Sequence, residues 1–227
     1  MDNRRYILLW SGGFDSTSVL LHALQNTDIQ NLVVCGCNLS NANCQLEDLN
    51  ARKAIAETLK LTSLPKVTYH EASASIDLPS CEVKTGQSQV WAYLASTLVS
   101  EKVGNVLCTG HIKYDDFWHF RSSFENAIIN LIQLSNPNVD LSFYYPFEWK
   151  EKRELAHFYF EHADVFKQLS WAGDNGECKL KEKSEIQNIL QNYWDHVQAS
   201  ATTTVSTQEV LKEHPPKKTS EDDDYYI

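Results

Sequence analysis

The stretch Tyr6-Ile-Leu-Leu-Trp10-Ser-Gly-Gly-Phe-Asp-Ser16 decides the fold of this 227-residue chain. It opens with a continuous apolar run, Tyr6 to Trp10, which is typical of a strand buried on both faces. Residues 17–25 follow with apolar side chains at helical spacing, which predicts an amphipathic helix. The paired glycines between the two segments allow the backbone to turn sharply. The stretch therefore predicts a strand, a tight loop and a helix in succession.

The same alternation continues along the chain. The predicted strands are residues 6–10, 32–35, 66–70, 105–109 and 141–145, and the predicted helices are residues 17–25, 44–60, 87–102, 123–134 and 151–162. Strands joined by helical crossovers run parallel, because each crossover returns the chain to the same edge of the sheet. We therefore expect an α/β fold: a doubly wound, five-stranded parallel sheet with helices on both faces and ligands at the carboxyl ends of its strands.

The chain is long enough for one domain with its own core. We place that domain at residues 1–198, with a last helix at residues 184–197. Residues 199–227 differ in composition: they are rich in Thr, Ser, Lys, Pro and Asp and end in Glu221-Asp-Asp-Asp-Tyr-Tyr-Ile227. Such a segment buries too little apolar surface to offset the entropy of ordering it. We predict a flexible acidic tail that is dispensable for the chemistry of the domain.

The formal net charge is −10, because 30 Asp and Glu outnumber 20 Lys and Arg. This balance argues against a strong nucleic-acid surface but leaves room for a local pocket that holds a small anion. No apolar run approaches the roughly 20 residues of a membrane helix, and the apolar stretch near the N-terminus is too short for a signal peptide. We expect a cytoplasmic protein with a small-molecule substrate and no membrane partner. A homodimer and a protein partner both stay open.

The six cysteines of such a chain are expected to be free thiols rather than a disulfide framework. Cys35, Cys37 and Cys44 have two interpretations. They could form a metal cluster, or they could lie in and just after a buried strand, where free cysteines pack as small apolar residues. We favour packing.

The loop after the first strand carries the chemistry that the sequence predicts. This phosphate loop consists of Ser11, Gly12, Gly13, Phe14, Asp15 and Ser16, and Thr17 follows it. Glycines let backbone amides approach an anion closely, and the N-terminus of the following helix favours negative charge. The Ser and Thr hydroxyls add donors, and Asp15 would act through Mg²⁺ or by accepting hydrogen bonds from loop amides. The alternative is a plain tight turn with Asp15 or Ser16 as the helix N-cap.

The phosphate loop resembles the Ser-Gly-Gly-x-Asp-Ser loop of the ATP pyrophosphatases, also called the PP-loop or N-type superfamily. The resemblance implies a fold like that of the adenine nucleotide alpha hydrolases, with ATP and Mg²⁺ as cofactors. It implies that residues 11–17 hold the β,γ-pyrophosphate of ATP and that Asp15 and Ser16 are catalytic. An oxygen of the substrate then attacks the α-phosphate, and AMP leaves later when a nucleophile replaces it.

Further segments resemble the 7-cyano-7-deazaguanine synthase branch of that superfamily. These segments are Glu47 in the second helix, Thr85 to Ala95, Gly110 to Asp115, and Pro146 to Glu154 with Lys152. The resemblance implies an ATP-dependent, AMP-forming C–N ligase. Its natural substrate would be 7-carboxy-7-deazaguanine, whose carboxylate is adenylated and converted with ammonia to an amide and then a nitrile.

Polar and aromatic side chains follow the fourth predicted strand, where a substrate pocket would open. We take Lys113 and Asp115 as further catalytic candidates: Asp115 to bind substrate or a metal, Lys113 to stabilise negative charge on ATP. The alternative is a solvated charged loop. The aromatic run that comes next, Trp118 to Phe120, could stack on a planar base or pack a helix against the sheet.

The chain departs from this branch at two places. The branch ends in four zinc-binding cysteines, whereas here only Cys178 stands in the corresponding stretch, with Lys181 and Ser184 at the last two positions. One thiolate cannot hold a tetrahedral zinc, so we predict no zinc there. Gln87 and Ser88 replace an Arg-Asn pair. A divergent relative is therefore expected, acting on another carboxylate or forming a conjugate. A tRNA-thiolation enzyme and a catalytically inactive nucleotide-binding partner protein are the alternatives.

Overall fold

A computed structural model describes residues 4–39, 45–74, 87–114, 116–169, 184 and 186–198. Its strands are β1 (Arg5–Trp10), β2 (Leu32–Leu39), β3 (Val67–Ala74), β4 (Asn105–Cys108) and β5 (Leu141–Tyr144). They form one sheet in the order β3-β2-β1-β4-β5, and every neighbouring pair is parallel. The expected five-stranded parallel sheet is confirmed.

Helices connect and cover these strands. They are α1 (Phe14–Gln25), α2 (Gln45–Thr58), α3 (Gln87–Leu98), α4 (Arg121–Gln133), α5 (Ala156–Glu161), α6 (Ala163–Phe166) and α7 (residues 186–198). Short 3₁₀ turns cover Leu61–Ser63, Asp116–His119 and Lys152–Leu155. Within the described residues no helix is both long and apolar enough to cross a membrane.

Several element boundaries differ from the expected ones: β3 runs on to Ala74, α3 ends at Leu98 and α4 begins at Arg121. Helix α1 begins at Phe14, three residues early, because the end of the phosphate loop already forms its first turn. Strand β2 runs on to Leu39, where pairing with β3 extends it beyond its apolar core. The helix expected at 151–162 begins as a 3₁₀ turn, which Glu151 and Glu154 close with a reciprocal capping box.

The two faces of the sheet have separate cores. Along β1, Leu8 and Trp10 point into a core with α1, α2 and the C-terminal helices α5, α6 and α7, whereas Ile7 and Leu9 face α3 and α4. The four side chains are at most 5% exposed. Burying each of them stabilises the fold by about 1.5–3 kcal/mol. Helices cover both faces, which confirms the doubly wound architecture.

The strand order reverses beside β1. Strands β2 and β3 lie on one side of it, and β4 and β5 lie on the other. The segments that follow β1 and β4 therefore leave the sheet in different directions and open a crevice at its carboxyl edge. The phosphate loop follows β1 and so lies at this crevice.

The end of the predicted domain is described only through α7. Ile186 and Leu190 of this helix join the core on the α1 side of the sheet, and the Trp194 ring stacks on Phe160 at a centroid distance of 5.2 Å. The predicted acidic tail, residues 199–227, lies outside the described residues.

Candidate functional site

The phosphate loop is held in a closed turn by its own side chains. The Ser11 and Ser16 hydroxyls are 2.9 Å apart, and Ser11 Oγ accepts a hydrogen bond from the Gly13 amide at 3.3 Å. Gly12 has a φ of +84°, which a residue with a Cβ adopts only at a cost. The N-cap of α1 is Gly13, with no side-chain cap, so the alternative with Asp15 or Ser16 as N-cap is wrong.

The first turn of α1 presents its amino end to the crevice. The amides of a first helical turn have no carbonyl partner within the helix, and the helix dipole makes this end partly positive. Phe14 is buried against Phe166 at a centroid distance of 5.3 Å, and Thr17 Oγ1 accepts a hydrogen bond from Trp10 Nε1 at 3.1 Å. These two side chains anchor the helix, so only their backbone is placed for contact with an anion.

A cavity of about 320 Å³ lies between the phosphate loop and the end of β4. Its lining consists of Leu9, Ser11, Gly13, Asp15, Ser16, Trp91, Thr109, Gly110, His111, Phe117 and Phe124. One wall is the polar loop and the other is mostly aromatic. The cavity therefore lies where the strand order reverses, the usual ligand position in an open parallel sheet.

Gly110 brings the two walls together. A Cβ at this position would lie 2.6 Å from the Ser16 amide nitrogen and 2.7 Å from Ser16 Cα. No side chain fits there without moving the backbone of α1, because both contacts are to backbone atoms. The glycine after the fourth strand thus permits the close approach on which the cavity depends.

The aromatic wall is a packed cluster. The His111 and Phe117 rings lie parallel at a centroid distance of 3.4 Å, and Phe124 meets Phe117 edge-on at 5.4 Å. Trp118 donates from Nε1 to the Ile112 carbonyl at 2.7 Å and lies beside the cluster, so it packs rather than lining the cavity. Phe117, which sequence reasoning missed, lines the cavity, whereas Trp118, His119 and Phe120 do not.

Thr109 is the second residue that sequence reasoning missed. It is 4% exposed, and its Oγ1 has no hydrogen-bond partner among the described residues. A buried hydroxyl without a partner costs about 1–3 kcal/mol. Because Thr109 lines the cavity, a polar atom of a ligand could remove this cost. Its place at the carboxyl end of the fourth predicted strand was a signal for it, but which cavity it lines follows from the position of β4 in the sheet.

Charged side chains of the turn after β5 contact the phosphate loop and the segment after β4. Lys152 Nζ lies 3.3 Å from Asp15 Oδ2, so the 3₁₀ turn after β5 reaches the phosphate loop. Lys113 instead faces Glu151 at 3.7 Å and the Tyr114 ring at 4.7 Å. A hydrogen bond to Tyr114, followed by attraction to nearby acidic groups, raises the pKa of Lys113. Asp115, the other candidate after β4, lies outside the described residues.

A larger cavity of about 750 Å³ lies at the opposite edge of the sheet. It is lined by residues at or near the amino ends of strands, among them Arg4, Tyr6, Val106 and Ser142. It has no glycine-rich loop and no helix N-terminus. We therefore assign the candidate site to the smaller cavity beside the phosphate loop.

The described residues contain no group of three or more His, Cys, Asp or Glu side chains that could hold a metal. Cys35 and Cys37 are buried free thiols within β2, and burial, followed by the proximity of Cys37, raises the pKa of Cys35 to about 11. Both are buried in this strand, as the favoured interpretation predicts for these two residues. Cys44, Cys178 and Lys181 lie outside the described part of the chain.

The chain was compared with known proteins. Its sequence matches no model of a protein family, and no curated protein is significantly similar to it.

Proposed function

We propose that the protein is an ATP-dependent, AMP-forming ligase that adenylates a carboxylate of a small-molecule substrate. The observation that carries this proposal is the closed Ser11–Ser16 loop at the N-terminus of α1, which opens into the cavity at the reversal of strand order. This arrangement suits pyrophosphate, because two hydroxyl groups and the N-terminus of a helix lie together in one wall of the cavity.

The loop would hold the β- and γ-phosphates of ATP. The Ser11 and Ser16 hydroxyls and the first amides of α1 supply neutral donors, and Lys152 adds a positive charge next to Asp15. The substrate carboxylate attacks the α-phosphorus, the bond between that phosphorus and the bridging oxygen breaks, and pyrophosphate leaves with the electron pair. Donors already in place stabilise the charge that grows on the leaving group.

Asp15 fits the role of a magnesium ligand. Mg²⁺ prefers carboxylate and phosphate oxygens and usually binds through one or two carboxylates together with the substrate's phosphates. The Asp15 carboxylate lines the cavity next to the loop, so it meets that requirement without a cluster of protein ligands. When bound, Mg²⁺ would supply charge neutralisation at the pyrophosphate.

The aromatic wall would hold the substrate. The parallel His111 and Phe117 rings provide a planar surface, and the Thr109 hydroxyl offers a hydrogen bond that the described residues do not use. These features suit a flat ring with polar atoms at its edge. We propose 7-carboxy-7-deazaguanine or a similar carboxylate as substrate, and an amide, nitrile or conjugate as product.

The proposed setting is the cytoplasm. Cys35, Cys37 and Cys108 are free thiols in the core, which is the state that a reducing compartment maintains.

Pyrophosphate release from ATP tests the proposal. We expect release that depends on Mg²⁺, rises when 7-carboxy-7-deazaguanine or a related carboxylate is added, and is accompanied by equal amounts of AMP. The control is Asp15→Asn, which should remove the activity. If the protein binds ATP but releases no pyrophosphate with any carboxylate, the ligase assignment is overturned and a nucleotide-binding partner protein is favoured. Release that requires tRNA and a sulfur donor would favour a thiolation enzyme.

A further inference from the structure

Arg52 of α2 is a buried cation next to the phosphate loop. It is 1% exposed, and its Nε and Nη2 donate to Glu71 Oε1 at 2.8 Å and Oε2 at 3.0 Å. Its Nη1 donates to the Ser11 carbonyl at 3.2 Å. One side chain thus joins helix α2, strand β3 and the start of the phosphate loop.

Two glycines make room for this side chain. A Cβ at Gly12 would lie 2.7 Å from Arg52 Cγ, and a Cβ at Gly36 of β2 would lie 2.5 Å from Arg52 Nε. Gly12 is also the loop residue with a left-handed backbone, at φ +84°. The stem of Arg52 therefore packs directly against the residue whose conformation closes the loop.

The far end of the network is fixed as well. Tyr69 donates its hydroxyl to Glu71 Oε1 at 2.5 Å, and burial together with this hydrogen bond raises the pKa of Tyr69. Its ring packs edge-on against Trp10 at 5.9 Å. Glu71 is thus held by two partners, and it fixes the guanidinium of Arg52 through two hydrogen bonds.

We infer that Arg52, oriented by Glu71, is a positioning residue that keeps the phosphate loop in its anion-binding conformation. The inference rests on the proposed binding of pyrophosphate by the loop. Arg52 does not line the cavity, and its three described hydrogen bonds are to protein atoms, so it acts through Ser11 and Gly12 rather than on the anion. A preorganised loop binds its anion without first paying to order its own backbone.

Whether Glu71→Gln strengthens or weakens pyrophosphate binding distinguishes the possible roles of Arg52 and Glu71. This change removes a negative charge from the vicinity of the loop, so electrostatics alone predicts tighter pyrophosphate binding. A positioning role predicts the reverse, because a neutral amide cannot hold the guanidinium in its bidentate geometry. A purely structural role predicts lower stability with unchanged affinity in the folded protein.

The test is calorimetric titration of the full chain with magnesium pyrophosphate, with urea unfolding of each variant. The variants are Glu71→Gln and Arg52→Lys, and the matched control is Glu57→Gln, which removes the same charge from the exposed side of α2. We expect Kd to rise about tenfold in both variants and to stay unchanged in the control. We also expect the double variant Arg52→Lys/Glu71→Gln to bind pyrophosphate no more weakly than either single variant, since the two residues act as one unit.

The outcomes separate the two proposals. Wild-type protein that binds no pyrophosphate overturns the proposed function, and this inference with it. Wild-type binding that both folded variants retain, or that Glu71→Gln strengthens, overturns the inference alone. If Arg52→Lys fails to fold, the Kd of Glu71→Gln alone decides: a higher Kd supports the inference, and an unchanged or lower Kd overturns it.

Discussion

Lys152 Nζ lies 3.3 Å from Asp15 Oδ2, and this contact joins the turn after the fifth strand to the loop after the first. The two residues are far apart in the chain, and the parallel sheet brings their segments to the same edge. Lys152 is about one third exposed, so the pair itself contributes little to stability. Its position next to Asp15 suits it to the proposed binding of pyrophosphate by the phosphate loop.

Lys152→Ala should weaken magnesium pyrophosphate binding about tenfold, or about 1.4 kcal/mol, because it removes a positive charge beside the loop that is proposed to hold the pyrophosphate. Titration calorimetry measures the effect. Arg153→Ala is the matched control, since Arg153 lies on the same turn but pairs with Glu151 at 2.8 Å. Equal losses in the two variants would mean that only net charge matters.

Asp15→Asn and Ser16→Ala should each reduce AMP formation at least about 100-fold while the fold stays cooperative. Asp15→Asn removes the proposed magnesium ligand, and Ser16→Ala removes the hydroxyl that meets Ser11. Neither side chain belongs to the apolar core. Turnover is followed by AMP release and folding by thermal denaturation. Near-normal turnover in either variant would contradict the assignment of the loop.

Thr109→Val should stabilise the protein without ligand by about 1 kcal/mol, because it replaces a buried hydroxyl that has no partner among the described residues with a methyl group. The same change should slow carboxylate-dependent pyrophosphate release. The matched control is Thr17→Val, for which we expect the opposite change in stability. It leaves the Trp10 indole N–H unpaired and should lower the free energy of unfolding by about 1–3 kcal/mol. Urea unfolding measures both values. Destabilisation by Thr109→Val would show that the hydroxyl is already satisfied.

Gly110→Ala should destabilise the fold by about 1–3 kcal/mol and weaken pyrophosphate binding, because the new methyl group meets the backbone of Ser16. Gly104→Ala at the other end of β4 is the control. There the new Cβ meets Asp140 Oδ2 at 2.8 Å, the end of a side chain that can rotate away. Similar affinities for pyrophosphate in the two variants would argue against the close approach of β4 and α1.

Stability should fall on acidification below about pH 6.5, and His22 should account for part of the loss. Burial, followed by the nearby His157, lowers the pKa of His22 from its usual 6.5. As pH falls below 6.5, the unfolded chain takes up a proton at His22 that the folded protein does not, so unfolding becomes more favourable. Urea unfolding at about pH 7.5 and about pH 5.5 should show a smaller loss in His22→Gln than in wild type. Identical losses would exclude a contribution from His22.

Local patterns in the sequence determined the fold class. Continuous apolar runs such as Tyr6 to Trp10 identify strands buried on both faces, and the helical spacings between them imply parallel crossovers. The sequence also predicted the tight loop at residues 11–16, because glycines and small polar residues between a strand and a helix are a local signal for such a turn. The start of α1 was missed by three residues, since the loop and the first helical turn share the same residues.

The neighbours of each strand were decided only by the tertiary structure. Periodicity says which face of an element is buried, but not which segment covers it. The order β3-β2-β1-β4-β5 places Thr109 and Gly110 next to Ser16, brings Lys152 to Asp15 and puts Arg52 between Glu71 and Ser11. Each of these contacts joins segments distant in the chain, and its energy depends on burial and geometry that exist only once the sheet has assembled. The loop motif is therefore a local property of the sequence, whereas the cavity beside it and the contacts that Lys152 and Arg52 make with the loop are properties of the assembled sheet.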